Sequence, residues 1–81
     1  MKATVTVELK NGVLDPQGKA IQHSLHALGF PGVEDVRVGK LFRITLHVDG
    51  NEEQVREQLR QMCEKLLANT VVENYSFDLE S

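Results

Sequence analysis

Two histidines and one cysteine are the side chains of this sequence best suited to metal or nucleophilic chemistry. His23 and His26 are three residues apart on a predicted helix, so they could offer two imidazoles to one metal ion, but no carboxylate or thiolate stands at a supporting position nearby. Cys63 follows Met62 at the margin of an apolar helix stripe, and no local feature favours its thiolate. We therefore expect solvent-facing histidines, a buried structural thiol and no metal site.

Motifs for catalysis are also missing from the sequence. Its serines show no nucleophile elbow and no neighbouring base. Glu52 and Glu53 lie at a helix start, where the helix dipole already explains paired acids. There is no P-loop, GxGxxG, HExxH or CxxC pattern. The sequence therefore predicts no catalytic and no cofactor-binding residue.

Length and composition indicate one small domain, residues 1–81. Of the 81 residues, 41% are hydrophobic and 26% charged, with a net charge of -3 and a pI near 5.5. This length excludes multi-domain enzymes, and a domain this small buries so little surface that oligomerisation is a natural supplement. The acidic balance argues against nucleic acid as a partner. The four aromatic residues suit a core better than a base-stacking surface.

Nothing near the N-terminus predicts export or membrane insertion. The first residues lack the apolar segment of a signal peptide, and no uninterrupted apolar run approaches about 18 residues. The single cysteine excludes an internal disulfide and fits a reducing compartment. We expect a soluble, unprocessed, cytoplasmic chain that contacts no membrane.

Apolar periodicity predicts a strand and then a helix in the first 30 residues. Residues 2–10 alternate between apolar and polar side chains, which is typical of a half-buried strand. Asp15 and Pro16 then start a helix, as N-cap and first helical residue. One apolar stripe of this helix should face a core: Ile21, Leu25 and Leu28.

In the segment from Glu34 to Val48, every even position from Val36 onward is apolar, with Lys40 as the exception. A two-residue hairpin at Gly39-Lys40 would place the apolar sets of its two strands on opposite faces, so that register is excluded. Two alternatives remain: a three-residue loop from Gly39 to Leu41, or one long strand with a bulge at Gly39. A continuous strand would span roughly 50 Å, longer than the domain, so part of it would pair with another chain.

A second helix and a last strand complete the chain. Asn51 with Gln54, or Asp49 with Glu52, can form a capping box, and Asn69 can end the helix in the left-handed conformation. The predicted core stripe is Val55, Leu59, Met62 and Leu66, broadened by Cys63 and Leu67. The final strand should turn three side chains to one face: Tyr75, Phe77 and Leu79.

The resulting order of elements is β-α-β-β-α-β, and every strand is apolar on one side only. This order predicts an α+β fold, a ferredoxin-like two-layer sandwich in which an antiparallel sheet carries two helices on one face. The open face and the two free edges of such a sheet favour dimerisation through the sheet.

Three connecting segments are more specific than ordinary loops. They read LKNGVLDPQG at residues 9–18, VRVGK at 36–40, and CEKLLANTVVENY at 63–75. In combination, and along a chain matched essentially end to end, they closely resemble the PurS family. This family is the small subunit of phosphoribosylformylglycinamidine synthase in organisms that divide the enzyme among separate chains. Thr70 stands where the family usually has proline.

The resemblance implies a non-catalytic assembly subunit. In that family the complete enzyme makes formylglycinamidine ribonucleotide from formylglycinamide ribonucleotide, ATP and glutamine in de novo purine biosynthesis. The PurL subunit binds ATP and Mg²⁺ and activates the substrate amide, and the PurQ subunit is the glutaminase. A PurS homodimer, or a dimer of dimers, would bridge these two subunits and help form a sheltered path for ammonia. No cofactor is expected in this chain.

Seven residues are candidates for contact with those partners: Asp15, Pro16, Gln17, Arg37, Lys40, Asn69 and Glu73. Arg37 and Lys40 offer donors for carboxylates or carbonyls of a partner. Local architecture is the alternative explanation for others, since Asp15 and Pro16 begin a helix and Asn69 ends one.

Two other functions remain open. A small-molecule-sensing module of the ACT kind uses the same order of strands and helices and binds amino acids at dimer interfaces, but Asn11-Gly12 alone is a poor match to its glycine-rich loop. A stand-alone enzyme is opposed by the missing motifs, although side chains far apart in sequence can assemble into a catalytic site.

Overall fold

The computed structural model describes residues 1–47 and 50–80, so the predicted strand end at Val48 and the alternative cap Asp49 lie outside the described residues. In chain order the elements are strand β1 (Lys2–Leu9), helix α1 (Pro16–Ala27), strand β2 (Gly39–Thr45), helix α2 (Glu52–Met62), a π-helical turn (Cys63–Leu67) that continues α2, and strand β3 (Glu73–Glu80). Among the helices of these residues, none has the length and apolar character needed to cross a membrane.

The three strands form one antiparallel sheet in the order β2-β1-β3. Val5 at the centre of β1 pairs with Phe42 on one side and with Phe77 on the other. Because directly paired residues share a face, the apolar positions of all three strands lie together, and α2 covers them with Val55 and Leu59, both fully buried. The α+β class and the antiparallel sheet are as predicted.

The chain between α1 and β2 differs from the prediction. Residues 34–38 form no strand in this chain, and Gly39 to Leu41 are the first three residues of β2, so the three-residue loop is wrong. A Cβ on Gly39 would lie 2.8 Å from the carbonyl oxygen of Val7. Close approach of β1 therefore explains this glycine without a bulge.

Helix α1 adds no apolar side chain to the core. Ile21 remains 37% exposed and Leu28 73% exposed, so the predicted core stripe on this helix is wrong within the chain. The helix contacts the returning chain instead: Gln22 Nε2 donates to the carbonyl oxygen of Glu34 at 3.0 Å. The core therefore lies between α2 and the sheet.

The helix ends follow their sequence signals. Asp15 Oδ1 accepts a hydrogen bond from the N–H of Gly18 at 2.9 Å, as an N-cap does. Gly29, just after α1, has a φ of +100°, the left-handed conformation that glycine adopts readily. Asn51 and Gln54 make both bonds of a capping box at the start of α2.

The end of α2 widens into the π-helical turn. The N–H of Ala68 donates to the carbonyl oxygen of Cys63 at 2.8 Å, an i→i+5 bond that encloses one residue more than an α-helical bond. The extra residue rotates the following side chains, so that Leu66 is 84% exposed whereas Cys63 is fully buried. The predicted place of Leu66 in the core stripe is wrong for this reason.

Candidate functional site

The three motif segments meet at one end of the sheet, and all seven candidate residues lie in them. The N–H of Lys10 donates to the carbonyl oxygen of Val72 at 2.8 Å. The carbonyl oxygen of Lys10 accepts from Arg37 Nη2 at 3.1 Å. Backbone groups of one residue thus join segments distant in sequence. We call residues 9–18, 36–40 and 69–73 the three-loop cluster.

Asp15 ties the first segment to the second. Its Oδ1 accepts from Gly18, and its Oδ2 accepts from the N–H of Val38 at 2.7 Å, while the residue is 5% exposed. The Val38 bond holds the pKa of Asp15 below its ordinary value, helped by the Gly18 bond and the charge of Arg37 and opposed by burial. The carboxylate is therefore ionised and both of its oxygens are in use.

The residues beside Asp15 fit this tie closely. Pro16 is the first residue of α1, and its fixed φ suits that position. At Gly18 a Cβ would overlap the carbonyl oxygen of Val36, so glycine lets the second segment pass against the start of the helix. Gln17 lies between them with an exposed side chain.

Glu73 ties the third segment to β2. Its Oε1 accepts from the N–H of Asn69 at 2.7 Å, and its Oε2 lies 3.6 Å from Lys40 Nζ. The Glu73 side chain is only 14% exposed, whereas that of Lys40 is 56% exposed. Glu73 thus has a structural role, and the ammonium of Lys40 reaches solvent.

Asn69 does not act as the left-handed helix end that the sequence predicts. No described residue other than glycine has a positive φ, and the residue that caps the π-helical turn is Ala68, in an extended conformation. The Asn69 side chain instead accepts from the N–H of Val71 at 3.2 Å, and its carbonyl oxygen accepts from Val72 and Glu73. Asn69 therefore orders the turn that precedes β3.

A shallow groove of about 240 Å³ runs through the cluster. Its apolar floor comes from Val7 and Leu9, and its rim includes four of the seven candidates: Asp15, Gln17, Lys40 and Glu73. Both carboxylates are hydrogen-bonded within the chain, so the groups left to an incoming surface are amide and ammonium donors. This arrangement can bind acceptors on a partner and shows no activated nucleophile.

The thiol and imidazole side chains outside the three-loop cluster do not assemble into a second site among the described residues. Burial, aided by Glu64, raises the pKa of the Cys63 thiol, which disfavours the reactive thiolate. The ring of His26 lies with Nε2 2.7 Å from the carbonyl oxygen of Val33. Within residues 1–47 and 50–80, no three His, Cys, Asp or Glu side chains are grouped so as to hold a metal ion.

Sequence reasoning missed the residues that connect the cluster through their backbone. Lys10 joins the segments by its N–H and carbonyl, and Val38 by its N–H, so their side-chain types carry no signal of these roles. The role of Gly18 could have been predicted, because a glycine in the first turn of a helix suggests that another chain segment passes close to it.

Comparisons with known proteins agree with the resemblance. Residues 2–81 match the model of the family described as PurS, phosphoribosylformylglycinamidine (FGAM) synthase. The phosphoribosylformylglycinamidine synthase subunit PurS of Bacillus subtilis is 46% identical over 79 residues, which cover 98% of this chain and 92% of the relative. A solved structure of B. subtilis PurS superposes with a TM-score of 0.88 at 46% identity, covering 99% of this chain and 98% of the other. A chain in a structure of PurLQS from Thermotoga maritima superposes with a TM-score of 0.84 at 31% identity, covering 95% and 93%.

Proposed function

The chain belongs to the PurS family of phosphoribosylformylglycinamidine synthase, and from this premise we propose that it is the assembly subunit that joins the PurL synthetase to the PurQ glutaminase. In this proposal PurL binds ATP and Mg²⁺, PurQ releases ammonia from glutamine, and the chain described above provides no catalytic group. The T. maritima relative occurs in a PurLQS structure, which supports a complex of these three subunits.

The observation that carries the proposal is the use of polar groups in the three-loop cluster. Asp15 and Glu73, the two acids that line the groove, accept hydrogen bonds from backbone N–H groups of this chain. Arg37 and Lys40 remain exposed beside them. Arg37 also donates to the Lys10 carbonyl oxygen and Lys40 lies near Glu73, but each cation has more N–H donors than this one contact uses. Exposed, charged donors suit recognition of carbonyls and carboxylates on another protein, because charge-assisted hydrogen bonds are among the stronger ones.

A docking surface of this kind also has a chemical use. Ammonia released at one subunit must reach another without being diluted or protonated, and close contact between subunits limits its escape.

We propose that the chain acts in the cytoplasm, as a homodimer or a dimer of dimers. Its small core, with seven buried apolar residues among those described, supports self-association.

Reconstitution tests the proposal. Purified PurL, PurQ and this chain should convert formylglycinamide ribonucleotide in the presence of ATP and glutamine, and omission of this chain should abolish the glutamine-dependent reaction. Full glutamine-dependent activity of PurL with PurQ alone would contradict the proposal. So would turnover of any purine precursor by this chain alone.

Charge reversal tests the surface itself. The double variant Arg37→Glu, Lys40→Glu should lower glutamine-dependent activity and PurL binding by at least about tenfold, a loss of about 1.4 kcal/mol in binding. The matched control is Lys19→Glu, Arg56→Glu, which changes the same number of exposed charges outside the cluster. Equal effects of the two variants would show that the three-loop cluster is not part of the interface with PurL. Circular dichroism establishes that both variants fold.

A further inference from the structure

The pair Asn11-Gly12 forms a turn in the first motif segment. The N–H of Val13 donates to the carbonyl oxygen of Lys10 at 3.1 Å, which closes a β-turn with Asn11 and Gly12 at its centre. Gly12 has a φ of +87°, the left-handed conformation that a type II turn requires at its third position. Both central residues are exposed. The peptide bond between them therefore lies at the surface.

The backbone nitrogen of Gly12 is unhindered. The central peptide of a β-turn takes no part in the hydrogen bond that closes the turn. Glycine has no side chain to shield its nitrogen, and apart from the adjoining residues no atom lies within 4 Å of the place where a Cβ would stand. The side-chain amide of Asn11 is joined to the same peptide through its Cα and Cβ atoms. The Gly12 nitrogen and Asn11 Cγ can therefore close a five-membered ring.

We propose that Asn11-Gly12 is a site of spontaneous deamidation. The Gly12 nitrogen gives its proton to a base and attacks Cγ of Asn11, so that an N–C bond forms. The Cγ–Nδ2 bond breaks, and Nδ2 takes up a proton from water and leaves as ammonia. A water molecule then adds to one of the two ring carbonyls and opens the ring. The product at position 11 is aspartate or, where the main chain now runs through the side chain, isoaspartate.

The other three asparagines of the sequence lack this arrangement: Asn51, Asn69 and Asn74. Each precedes a residue with a side chain, which crowds the backbone nitrogen that would have to attack. The side-chain oxygens of Asn51 and Asn69 accept hydrogen bonds from backbone N–H groups at 2.9 and 3.2 Å, and Asn74 lies inside β3. Deamidation should therefore concentrate at Asn11.

The new carboxylate would arise beside a cation of the three-loop cluster. Arg37 Nη2 lies 3.1 Å from the carbonyl oxygen of the peptide bond that joins Lys10 to Asn11. The side chain at position 11 thus begins well within the Debye length of about 8 Å at physiological ionic strength, so salt does not screen the two charges from each other. An acid at this position competes with acceptors on a partner for the Arg37 guanidinium. This consequence rests on the proposed function, whereas the deamidation does not.

Isoaspartate has a second effect, because it lengthens the main chain by one carbon atom inside the turn. Lys10, the residue directly before it, joins the three motif segments through its N–H and its carbonyl oxygen. Deamidation therefore changes both the charge and the backbone of the three-loop cluster.

Ageing of the purified full chain tests the deamidation. The chain is kept in warm, mildly alkaline buffer and then digested with trypsin. Cleavage after Lys10 and Lys19 releases residues 11–19, whose single asparagine is Asn11. Mass spectrometry should show the exchange of an amide NH₂ for OH in this peptide at least about tenfold faster than at any other asparagine. The rate should rise with pH, because the Gly12 nitrogen must lose its proton before it attacks.

Two variants serve as controls. Asn11→Gln has a longer side chain that would need a six-membered ring, so its peptide 11–19 should gain no acid at position 11 in the same period. Asn74→Gln keeps the Asn11-Gly12 pair and should age like the original chain. An amide at position 11 that persists, or that converts no faster than the other asparagines, would overturn the proposal. So would conversion more than about tenfold slower in the folded chain than in the urea-unfolded chain, because the turn would then protect the pair.

Asn11→Asp tests the consequence for assembly without ageing. Its affinity for PurL at low salt should be at least about threefold weaker than that of Asn11→Gln, and the difference should shrink at high salt. Equal affinities of the two variants would overturn the effect on assembly. Failure of the original chain to bind PurL would contradict the proposed function and leave the ageing result unchanged.

Discussion

Each of the two helices carries an apolar stripe, yet the stripe of α2 is buried by its own chain and that of α1 is not. In α2, Val55 and Leu59 are completely enclosed by the sheet. Ile21 in α1 and Leu28 at its C-cap remain exposed beside a returning chain segment that is itself irregular. Periodicity therefore predicts that a helix has an apolar face, but not that the same chain buries this face.

The largest expected effect comes from the covered helix. Leu59→Ala should lower the free energy of unfolding by about 2–5 kcal/mol, because the surrounding core cannot close the cavity completely. The measurement is urea denaturation followed by circular dichroism. The control Leu14→Ala removes the same atoms from a side chain that is 69% exposed and should cost far less. Similar losses in both variants would contradict the difference between the two regions.

The contact between the start of α1 and the returning chain should respond next. Gly18→Ala places a Cβ against the carbonyl oxygen of Val36, and we expect a loss of about 1–3 kcal/mol in the free energy of unfolding, as in other overpacked sites. At Gly32, in the connection that follows α1, a Cβ would meet no atom within 4 Å, so Gly32→Ala serves as the control. Thermal unfolding compares the two variants. An equal effect of both would mean that the start of α1 is no more tightly packed than this connection.

The uncovered helix should affect association more than folding. If the homodimer proposed above covers the exposed apolar side chains of α1 and its C-cap, Leu28→Asp should raise the dimer dissociation constant by at least about tenfold, since a charge would replace an apolar side chain at the contact. Sedimentation velocity over a range of concentrations measures this constant. Leu14→Asp, also exposed but outside α1, should leave the constant unchanged, and an unchanged constant in Leu28→Asp would show that this end of α1 is not part of the dimer contact.

The smallest expected effect is the pH dependence of stability that the Asp15 carboxylate contributes. The pKa of Asp15 is lower in the folded chain than the unfolded value near 3.9, so its stabilising contribution is complete above that value and is lost as the pH falls through the folded pKa. Asp15→Asn should therefore be less stable than the original chain at pH 7, with a gap that narrows below about pH 4. Melting temperatures between pH 7 and pH 2.5 measure this gap. A gap independent of pH would assign the effect to lost geometry and not to charge.

Local signals predicted local structure well. The strand β1, the cap at Asp15, the left-handed Gly29 and the Asn51–Gln54 capping box follow from side chains within a few residues of one another. The same segments indicated the seven candidate residues, and the structure brings all of them to one end of the sheet. Their recognition as a site depended on resemblance to a family, because spacing alone does not define a docking surface.

Features that depend on backbone geometry could not be predicted from the residue types. The i→i+5 bond of Ala68 turned Leu66 outward, and no residue type announces such a bond. Asn69 was expected to end a helix, but the helix had already ended and its side chain ordered the next turn. Sequence alone also leaves the course of residues 34–38 undetermined, because their alternation fits a strand that pairs within this chain or with another chain.

The carboxylate of Asp15 has a consequence for how the chain tolerates changes in length. This carboxylate accepts hydrogen bonds from Gly18 and Val38, so it holds the two ends of the segment 18–38 together. Insertion or deletion of residues around Pro31 and Gly32 would change the length of this segment and leave β1 and β2 in register. A change of one residue between Val38 and Phe42 would instead shift every later side chain of β2 to the opposite face.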